Sequence, residues 1–467
     1  MVEIKVLLVK PHFRDMYTEF RTVATEYPPL GLMYLASYLE KNGHEMKILD
    51  MSAEKKTDND LIKITEDFQP DVVGFTVTTP LSNRSHQLAA LVKNSLKDVF
   101  IIFGGPHPTA LPEEELSDKN VDFVIRSEGE ISCSSLINKK CKNVDDVLGL
   151  SYKKNDKIIH NPNQPYIETL DKLPFPAYHL INIKKYFFVD ARKYPLAPLL
   201  TSRGCPFGCI YCNKNISGRL FRARSAKNVV DEIEHLINNY DIREIHILDD
   251  AMTTIASRMT EICNEIKLRG IDILFDASNG IRADSVTFDL LKKMKDIGFY
   301  KVAFGIESGN ENIRNNIKKN LNIEQVKEAV KWSKKIGLEV WGFFIIGLPG
   351  ETRKSVEETL NLAIDLDLDV AKFYVTTPMP GTELFETWKK AGFIKTFKWS
   401  EYSFYKKPVY ELPNMSADEI LELHKYCFKK FYLRPKYLLK KMRTISSIKH
   451  FMFMSKAGID ILNRAIK

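Results

Sequence analysis

Three cysteines stand close together in the stretch TSRGCPFGCIYC, at Cys205, Cys209 and Cys212. A closed zinc site or a fully cysteine-ligated iron–sulfur site takes four ligands, so this loop is one ligand short. Three thiolates can hold a cubane iron–sulfur cluster by one iron each and leave the fourth iron open to another molecule. A structural zinc site is the alternative, and it would need a distant fourth ligand such as His179 or His235. The spacing favours a cluster with one open coordination position.

The remaining cysteines are scattered, and the odd total of seven in 467 residues argues against a disulfide framework and for a reducing compartment. The N-terminal run MVEIKVLLVK lacks a signal-peptide pattern, and no window reaches the roughly 18 uninterrupted apolar residues of a membrane span. We therefore expect a cytoplasmic protein. A net charge of +8 is too small a surplus over this length to indicate a nucleic-acid partner.

Residues 1–145 alternate β-branched apolar segments with helical patterns, which predicts a doubly wound, Rossmann-like α/β domain. The predicted strands are Ile4–Val9, Glu45–Asp50, Val72–Val77, Val99–Phe103 and Phe123–Arg126. The predicted helices are Leu30–Asn42, Asp58–Phe68, Ser85–Ser95 and Glu113–Leu116.

Such a sheet binds ligands beyond the carboxyl ends of its strands, so the loops that follow three of these strands form a candidate binding site. The candidate residues in these loops are Thr76, Thr78, Gly104, Gly105, His107, Glu128 and Gly129. Glycine lets a backbone approach a ligand closely, and threonine supplies a hydroxyl. The alternative for Gly-Gly-Pro is a tight turn after a strand, but three such loops on one edge favour a site.

Prolines are dense after the first domain, and they predict an extended connector without helix or central strand at residues 146–194. Residues 195–395 again alternate strand and helix, and six strand–helix units are typical of a partial (β/α)6 barrel. The predicted strands are Leu199–Ser202, Glu244–Leu248, Leu274–Ser278, Lys301–Gly305, Glu339–Ile346 and Val370–Thr376. The cysteine loop follows the first of them.

The loop RGCPFGCIYC resembles the signature of radical S-adenosylmethionine enzymes, with Tyr211 directly before the third cysteine. The segments HILDDAM, NGIRAD, FGIESG and FFIIGLPGET, at successive strand ends, resemble that family's cofactor contacts. The resemblance implies that the three cysteines hold a [4Fe–4S] cluster whose open iron is chelated by S-adenosylmethionine. Reductive cleavage, with an electron from a flavodoxin- or ferredoxin-type protein, would release a deoxyadenosyl radical that abstracts hydrogen from an unactivated carbon.

The same resemblance points to further contacts with S-adenosylmethionine. Tyr211 is expected to border the adenine, and Glu307, followed by Ser308, to accept hydrogen bonds from the ribose hydroxyls. Gly347 offers close backbone approach to the adenine. Asp249 and Asp250 are expected to bind either the ammonium of the cofactor or the substrate, two roles that the sequence does not separate.

The N-terminal segments YPPLGLMYLASYLEKNGHEMKILD, DVVGFTVTT, GGPHPT and SEGE are similar to the cobalamin-binding domain fused to one large branch of these enzymes. The resemblance implies cobalamin as a third cofactor. The chain contains no Asp-x-His-x-x-Gly motif, whose histidine coordinates cobalt in many cobalamin modules. His12 is the nearest alternative ligand, although a lone histidine in a loop is more often solvated or hydrogen-bonded. We expect cobalamin without histidine coordination.

Residues 396–467 are predicted to be helical, with a capping box at Ser416 and Glu419, a helix to about Tyr432 and a break before Pro435. Residues 425–443 interleave basic and aromatic side chains. One interpretation is a helix that closes the barrel. The other is a face that rests on anionic lipid at the inner side of a membrane.

The predicted function is methylation of an unactivated carbon in a small-molecule or lipid substrate. The alternative keeps the cofactors but closes a ring or couples two carbons without net methyl transfer. A non-enzymatic cobalamin or iron–sulfur sensor is a third hypothesis, which the ordered set of S-adenosylmethionine contacts disfavours.

Overall fold

The structure is a computed structural model that describes residues 3–12, 26–188 and 190–442. Two sheets organise these residues, one of seven strands and one of six, together with a small two-stranded ribbon. Among the described residues, no helix is both long enough and apolar enough to cross a membrane.

The N-terminal sheet has the strand order β2-β1-β3-β4-β5-β6-β7. Its strands are β1 Lys5–Lys10, β2 Glu45–Asp50, β3 Val72–Thr76, β4 Phe100–Gly104, β5 Phe123–Ile125, β6 Leu150–Lys154 and β7 Lys157–His160. The accompanying helices are α1 Leu30–Lys41, α2 Asp58–Phe68, α3 Ser82–Ser95, α4 Pro106–Ala110, α5 Pro112–Ser117 and α6 Glu130–Asn138. The first five strands are parallel, which confirms the doubly wound prediction.

Successive side chains of β1 point to opposite faces of the sheet, and both faces are covered by helices. Val6 and Leu8 belong to the apolar core that includes α1 and α6, while Leu7 and Val9 belong to a second core beneath α2 and α3. A strand buried on both sides reads as a continuous apolar run, as KVLLVK does.

The connector prediction is wrong for its first part, because β6 and β7 form an antiparallel hairpin on the edge of the N-terminal sheet. Asn155 and Asp156 turn the hairpin with φ of 49° and 61°, the left-handed pair that a two-residue hairpin turn requires. The first proline, Pro162, comes only after β7 has ended. Beyond it the described residues up to Tyr194 form only short 3₁₀ turns, as the proline density predicts.

The second sheet is parallel, with β8, β11, β12, β13, β14 and β15 side by side in chain order, which confirms the partial barrel. The strands of this part are β8 Leu196–Leu199, β9 Ser202–Arg203, β10 Arg222–Ala223, β11 Glu244–Ile247, β12 Leu274–Ile281, β13 Phe299–Glu307, β14 Glu339–Ile346 and β15 Val370–Val375. The helices are α7 Ala226–Tyr240, α8 Ala256–Leu268, α9 Phe288–Asp296, α10 Glu311–Asn316, α11 Ile323–Lys335, α12 Arg353–Asp365 and α13 Glu383–Lys390. The cysteine loop lies between β9 and β10.

Two further helices, α14 Ala417–Tyr432 and α15 Pro435–Met442, follow the barrel. Ser416 caps α14 by accepting a hydrogen bond from the backbone N–H of Glu419 at 3.2 Å. The aromatic side chains of the basic stretch, Phe428, Phe431 and Tyr432, are buried, and Phe373 of β15 packs against both phenylalanines. The structure therefore favours the closing helix for residues 425–432, and residues 443–467 lie outside the described part of the chain.

Candidate active site between the two sheets

A cavity of about 360 Å³ lies between the N-terminal sheet and the cysteine loop. One side is apolar and consists of residues on β1, β3 and β4 together with the facing sides of α1 and α6. The other side is polar and includes Ser202, Arg203, Ser217 and Asp250 from the barrel. A single space thus contacts both domains.

Five of the seven loop residues predicted to bind a ligand line this cavity, namely Thr76, Gly104, Gly105, Glu128 and Gly129. At Gly105 the backbone has φ of 104°, and a Cβ would lie 2.9 Å from the carbonyl oxygen of Val77. Only glycine therefore fits this turn of the cavity wall.

The other two predicted loop residues do not line the cavity. Thr78 is exposed elsewhere. The imidazole of His107 is fully buried, with Nδ1 3.2 Å from the Thr79 hydroxyl and Nε2 3.2 Å from the Glu115 carboxylate. The ring of Trp399 packs on it edge-on at 5.0 Å. His107 thus packs among protein groups away from the cavity, and its predicted contact with a cofactor stays a prediction.

Glu128 and Glu130 join the two domains at the mouth of the cavity. Arg203 donates to Glu128 at 3.2 Å and to Glu130 at 2.7 Å, and Arg222 donates to the second Glu128 oxygen at 2.8 Å. The guanidinium of Arg203 also lies 5.0 Å from the centre of the Tyr34 ring. Because both Glu128 oxygens are taken, this side chain holds the cysteine loop against the N-terminal domain.

The cysteine loop presents its thiols differently from the other cysteines. Cys205, Cys209 and Cys212 are partly or fully exposed, whereas the other four are buried. The three loop sulfurs do not all lie within 4.8 Å of one another. Thiolates on one zinc ion would be about 3.8 Å apart, given a Zn–S bond of about 2.3 Å. Because each thiolate of a cubane cluster binds a different iron, the predicted cluster does not require its sulfurs to lie that close together.

Lys214 places a positive charge in the same loop. Its Nζ is buried and has no hydrogen-bond partner among the described residues. Desolvation raises the pKa of the Cys205 and Cys212 thiols, and the nearby Lys214 charge opposes that rise. A buried ammonium without an acceptor is costly, so this loop fits an anionic group such as an iron–sulfur cluster.

Glu307 lies at the end of β13, beside the cysteine loop. Its backbone has φ of 69°, in the left-handed region, and its carboxylate pairs with Lys319 at 2.9 Å. The hydroxyl of Tyr211 lies near the same carboxylate, and burial followed by the charge of Glu307 raises the pKa of Tyr211. The structure thus brings together Tyr211 and Glu307, two of the residues predicted to contact S-adenosylmethionine, and adds Lys319.

Asp249 and Asp250 follow β11 and differ in what they bind. The backbone N–H of Thr201 donates to Asp249 at 2.6 Å, and the hydroxyls of Thr201 and Ser202 donate to it as well. Asp250 lines the cavity and accepts from the backbone N–H of Gly204 at 3.2 Å. Asp249 therefore fixes the start of the cysteine loop, and Asp250 is the carboxylate available to a ligand.

Ser308 and Gly347, the last two predicted contacts, serve packing in this structure. The Ser308 hydroxyl lies 3.2 Å from the Thr359 hydroxyl of α12. A Cβ at Gly347, where φ is 86°, would lie 2.2 Å from the Tyr410 hydroxyl. Tyr410, which donates to the Gly347 carbonyl oxygen at 2.9 Å, therefore requires a glycine here, and the approach of this backbone to the adenine stays a prediction.

A buried polar cluster closes the opposite end of the barrel. Tyr300 and His246 both contact one oxygen of Glu244, at 2.7 and 2.6 Å, and two backbone N–H groups donate to the other oxygen. Lys301 pairs with Asp276 at 2.6 Å and also with Asp190. Single atoms of Glu244, His246 and Asp276 lie within 4.8 Å of one another, as metal ligands would, but protein donors already engage both carboxylates. We call this group, defined by Asp190, Glu244, His246, Asp276 and Lys301, the barrel plug.

Sequence reasoning missed Arg203, Lys214, Arg222 and Lys319 as functional residues. Arg203 and Lys214 flank the cysteine loop, so proximity to the motif is a signal that could have found them. Arg222 and Lys319 lie outside the quoted motifs, and only the folded chain brings them to Glu128 and Glu307. His12, the candidate cobalt ligand, is partly buried just after β1 and is not among the residues that line the cavity.

Comparison with known families agrees with this arrangement. Residues 199–363 match the model of the radical SAM superfamily, and residues 20–137 match that of the B12 binding domain. The matched segments are the barrel with its cysteine loop and the sheet that carries the cavity. The cysteine loop and barrel are those of a radical S-adenosylmethionine enzyme, as predicted.

Relatives that align with most of this chain specify the family further. The chain is 38% identical to an uncharacterized methyltransferase of Pyrococcus horikoshii, over 99% of both chains. It is 31% identical to cytidylyl-2-hydroxyethylphosphonate methyltransferase of Streptomyces wedmorensis, over 85% of this chain and 84% of the relative. It is 26% identical to the anaerobic magnesium-protoporphyrin IX monomethyl ester cyclase of Rubrivivax gelatinosus, over 93% and 78%. The chain therefore belongs to the cobalamin-binding branch of the radical S-adenosylmethionine enzymes.

Two solved structures share the fold at low sequence identity. OxsB, with aqua-cobalamin and S-adenosylmethionine bound, has a TM-score of 0.76 at 18% identity over 99% of this chain and 72% of that one. The methyltransferase TsrM of Kitasatospora setae, with cobalamin and a [4Fe–4S] cluster bound, has a TM-score of 0.70 at 17% identity over 85% and 79%. The three cofactors predicted from the sequence are those that these two proteins hold.

Proposed function

We propose that this enzyme uses a [4Fe–4S] cluster, S-adenosylmethionine and cobalamin to methylate an unactivated carbon of a small-molecule or lipid substrate. The observation that carries the proposal is the cavity shared by the two domains, whose wall includes Arg203 and Asp250 next to the cysteine loop. A methyl donor and a radical generator must act on the same carbon, and this cavity opens toward the loop that would hold the radical generator. Two full-length relatives described as methyltransferases support the same reaction type.

When bound, the cluster with S-adenosylmethionine supplies a radical that abstracts hydrogen, and cobalamin supplies the methyl group. In the chain itself, Cys205, Cys209 and Cys212 would ligate three irons. Lys214 would balance the negative charge of the thiolates. Glu307, oriented by Lys319 and Tyr211, would accept hydrogen bonds from the ribose hydroxyls of S-adenosylmethionine.

Cobalamin would occupy the space between the N-terminal sheet, α1 and α6. The apolar strand face and the glycine backbones at Gly104, Gly105 and Gly129 leave room for a large ligand, and the polar mouth offers hydrogen-bonding groups. The described lining includes no histidine, which supports binding without a histidine ligand to cobalt.

We also propose a flavodoxin- or ferredoxin-type protein as electron donor and the cytoplasm as location. Contact with a membrane would rest on the exposed Leu438 and Leu439 of α15.

Ring closure without methyl transfer is the second candidate, which the cyclase among the full-length relatives favours. The two reactions differ in what becomes of S-adenosylmethionine. Each methylation consumes two molecules, one leaving S-adenosylhomocysteine and one leaving 5′-deoxyadenosine, whereas a cyclase that abstracts hydrogen leaves 5′-deoxyadenosine alone.

Feeding trideuteromethyl-labelled methionine to cells that express the enzyme tests the choice, with the Cys209→Ala variant as control. A product heavier by one trideuteromethyl group, absent from the control, is the outcome expected for methylation. An unlabelled product lighter by two hydrogens would establish ring closure or coupling instead. When the purified enzyme is incubated with a cell extract that contains its substrate, methylation should form S-adenosylhomocysteine and 5′-deoxyadenosine in equal amounts.

A further inference from the structure

Among the described residues, Lys301, Lys319 and Lys372 lie on or near the barrel strands, and the first two of them are paired. Lys301 on β13 pairs with Asp276 and Asp190, and Lys319 pairs with Glu307 at 2.9 Å. Lys372 on β15 forms no hydrogen bond and no ion pair within the part of the chain that the structure describes. It is the exception among the three.

Aromatic rings surround the Lys372 ammonium. Its Nζ lies 4.5 Å from the centre of the Trp341 ring and 5.7 Å from that of Phe343. Exposure alternates along β15, so that Lys372 and Tyr374 share the inner face while Phe373 points outward onto α14. Trp341, Phe343, Lys372 and Tyr374 form what we call the Lys372 wall.

This wall lies between the cysteine loop and the barrel plug. Phe343 is in register with Lys372 on β15 and with Gly305 on β13. Glu307 follows Gly305 beyond an irregularity of β13 and is in register with Phe344, the residue directly after Phe343. A Cβ at Gly305 would lie 2.9 Å from a carboxylate oxygen of Glu307 and 3.1 Å from the Lys319 Nζ, so the Glu307–Lys319 pair lies against Gly305. The Lys372 wall is thus close to the place where hydrogen abstraction is proposed.

The plug beneath the wall does not provide Lys372 with an acceptor. Asp190 and Asp276 are both held by Lys301, and their attraction for Lys372 acts only over a longer range. Burial lowers the pKa of Lys372, whereas the carboxylate partners of Lys301 and Lys319 raise the pKa of those lysines against burial. Lys372 is partly exposed, and no carboxylate of the described residues pairs with it to offset the water that its ammonium has lost.

We propose that Lys372 binds an anionic oxygen group of the substrate, a carboxylate or a phosphate, while Trp341, Phe343 and Tyr374 pack against the substrate's hydrocarbon or ring portion. The inference rests on the proposed function, since it assigns a substrate class to the same barrel. Anionic oxygens form the shortest and strongest hydrogen bonds with an ammonium. The flanking rings bury apolar surface and hold the cation by cation–π attraction, which leaves its N–H groups free to donate.

Binding of three naphthalene probes to the full-length, cluster-reconstituted enzyme tests this proposal. The probes are 2-naphthyl phosphate, 2-naphthoate and neutral 2-naphthol, and titration calorimetry gives their affinities. We expect at least one anion to bind ten or more times more tightly than 2-naphthol, and the better of the two anions identifies phosphate or carboxylate. Lys372→Met should abolish the preference and Lys372→Arg should keep most of it, while Lys354→Met, which removes an exposed lysine on α12, should leave it unchanged.

A second measurement needs no variant at Lys372. Reductive methylation followed by peptide mass spectrometry should show Lys372 protected by the tighter anion, with Lys354 modified at the same rate with and without it. The proposal is overturned if neither anion is preferred over 2-naphthol, if the preference survives in Lys372→Met, or if the anion gives Lys372 no protection.

These results are separable from those on the proposed function, because binding is measured without turnover. Anion binding at Lys372 in an enzyme that forms no S-adenosylhomocysteine would refute methyl transfer alone. Methyl transfer that proceeds at the wild-type KM in Lys372→Met would refute the substrate class alone.

Discussion

Arg203, two residues before the first cysteine of the cluster loop, donates a hydrogen bond of 2.7 Å to Glu130 of the N-terminal domain. Its other terminal nitrogen donates to Glu128. All three side chains are largely buried. The loop proposed to hold the cluster is therefore ion-paired to the domain proposed to hold cobalamin, and the position of one depends on the other.

Replacing Arg203 by Met should weaken both the domain contact and cobalamin binding. The change leaves two buried carboxylates without their shared partner, a loss of about 3 kcal/mol in the free energy of unfolding. Denaturant unfolding and titration with hydroxocobalamin measure the two effects. The matched control is Arg243→Met, which removes an exposed arginine whose one ion pair among the described residues is with Asp241. Cobalamin affinity equal to wild type in Arg203→Met would contradict the coupling.

Cys209→Ala should lower the iron content and abolish cleavage of S-adenosylmethionine, since two thiolates hold a cubane cluster poorly. Anaerobic reconstitution of the wild type should give about four irons per chain. Cys263→Ala, which removes a buried cysteine on α8, should retain the iron and serves as the control. Iron analysis and 5′-deoxyadenosine formation measure the outcome, and full cleavage activity in Cys209→Ala would rule out the cluster assignment.

Lys214→Met should make the cluster harder to reduce, because a nearby buried cation favours the state that carries the extra negative charge. Spectroelectrochemistry with electron paramagnetic resonance gives the reduction potential, which should shift to more negative values. Lys214→Arg keeps the charge and should stay near the wild-type potential. Equal potentials in Lys214→Met and wild type would mean that the ammonium serves another group.

Glu351 should make stability fall as the pH rises. Burial raises the pKa of its carboxyl from 4.5 to about 8, and one oxygen has no hydrogen-bond partner. The folded chain therefore binds more protons than the unfolded chain between these two values, so the free energy of unfolding declines from about pH 4.5 to 8. The decline is on the order of 4 kcal/mol.

Glu351→Gln removes this titration and should flatten the decline, since the amide oxygen can still accept from the Gly347 and Leu348 N–H groups. Denaturant unfolding across the pH range, compared with wild type, measures the difference. A variant as pH-dependent as wild type over this range would show that Glu351 is ionised in the fold.

Gly347→Ala should destabilise the fold by more than the same change at Gly337. Both glycines have positive φ, 86° and 74°, but a Cβ at Gly337 meets nothing within 4 Å, while one at Gly347 collides with the Tyr410 hydroxyl. The strain common to both is about 1 kcal/mol, and the collision should add 1–3 kcal/mol, roughly the cost of overpacking. Thermal unfolding of the two variants separates the backbone strain from the collision. An equal loss of stability in both variants would argue against the Tyr410 contact.

Local pattern was enough to predict the five parallel strands of the first sheet, the parallel second sheet and the cysteine loop, because the strands are short apolar runs between turn residues and the cluster ligands lie within eight residues. The first barrel strand begins at Leu196, three residues earlier than predicted. The β6–β7 hairpin was missed because proline density was extended back across residues that contain no proline. The packing contacts of His107 and Gly347 could not be predicted from the motifs that contain them. Their roles depend on Trp399 and Tyr410, partners that are remote in sequence and that no local signal identifies.

The cavity that the two domains share also limits how freely either domain could be exchanged for that of a homologue. Neither domain alone encloses the cavity, because the N-terminal sheet provides its apolar side and the barrel provides Ser202, Arg203 and Asp250. If one domain were replaced by the corresponding domain of a distant homologue, the chimera would have to keep opposite charges at the positions of Arg203, Glu128 and Glu130. The ion pairs that join the two domains thus limit which homologous halves could replace either one.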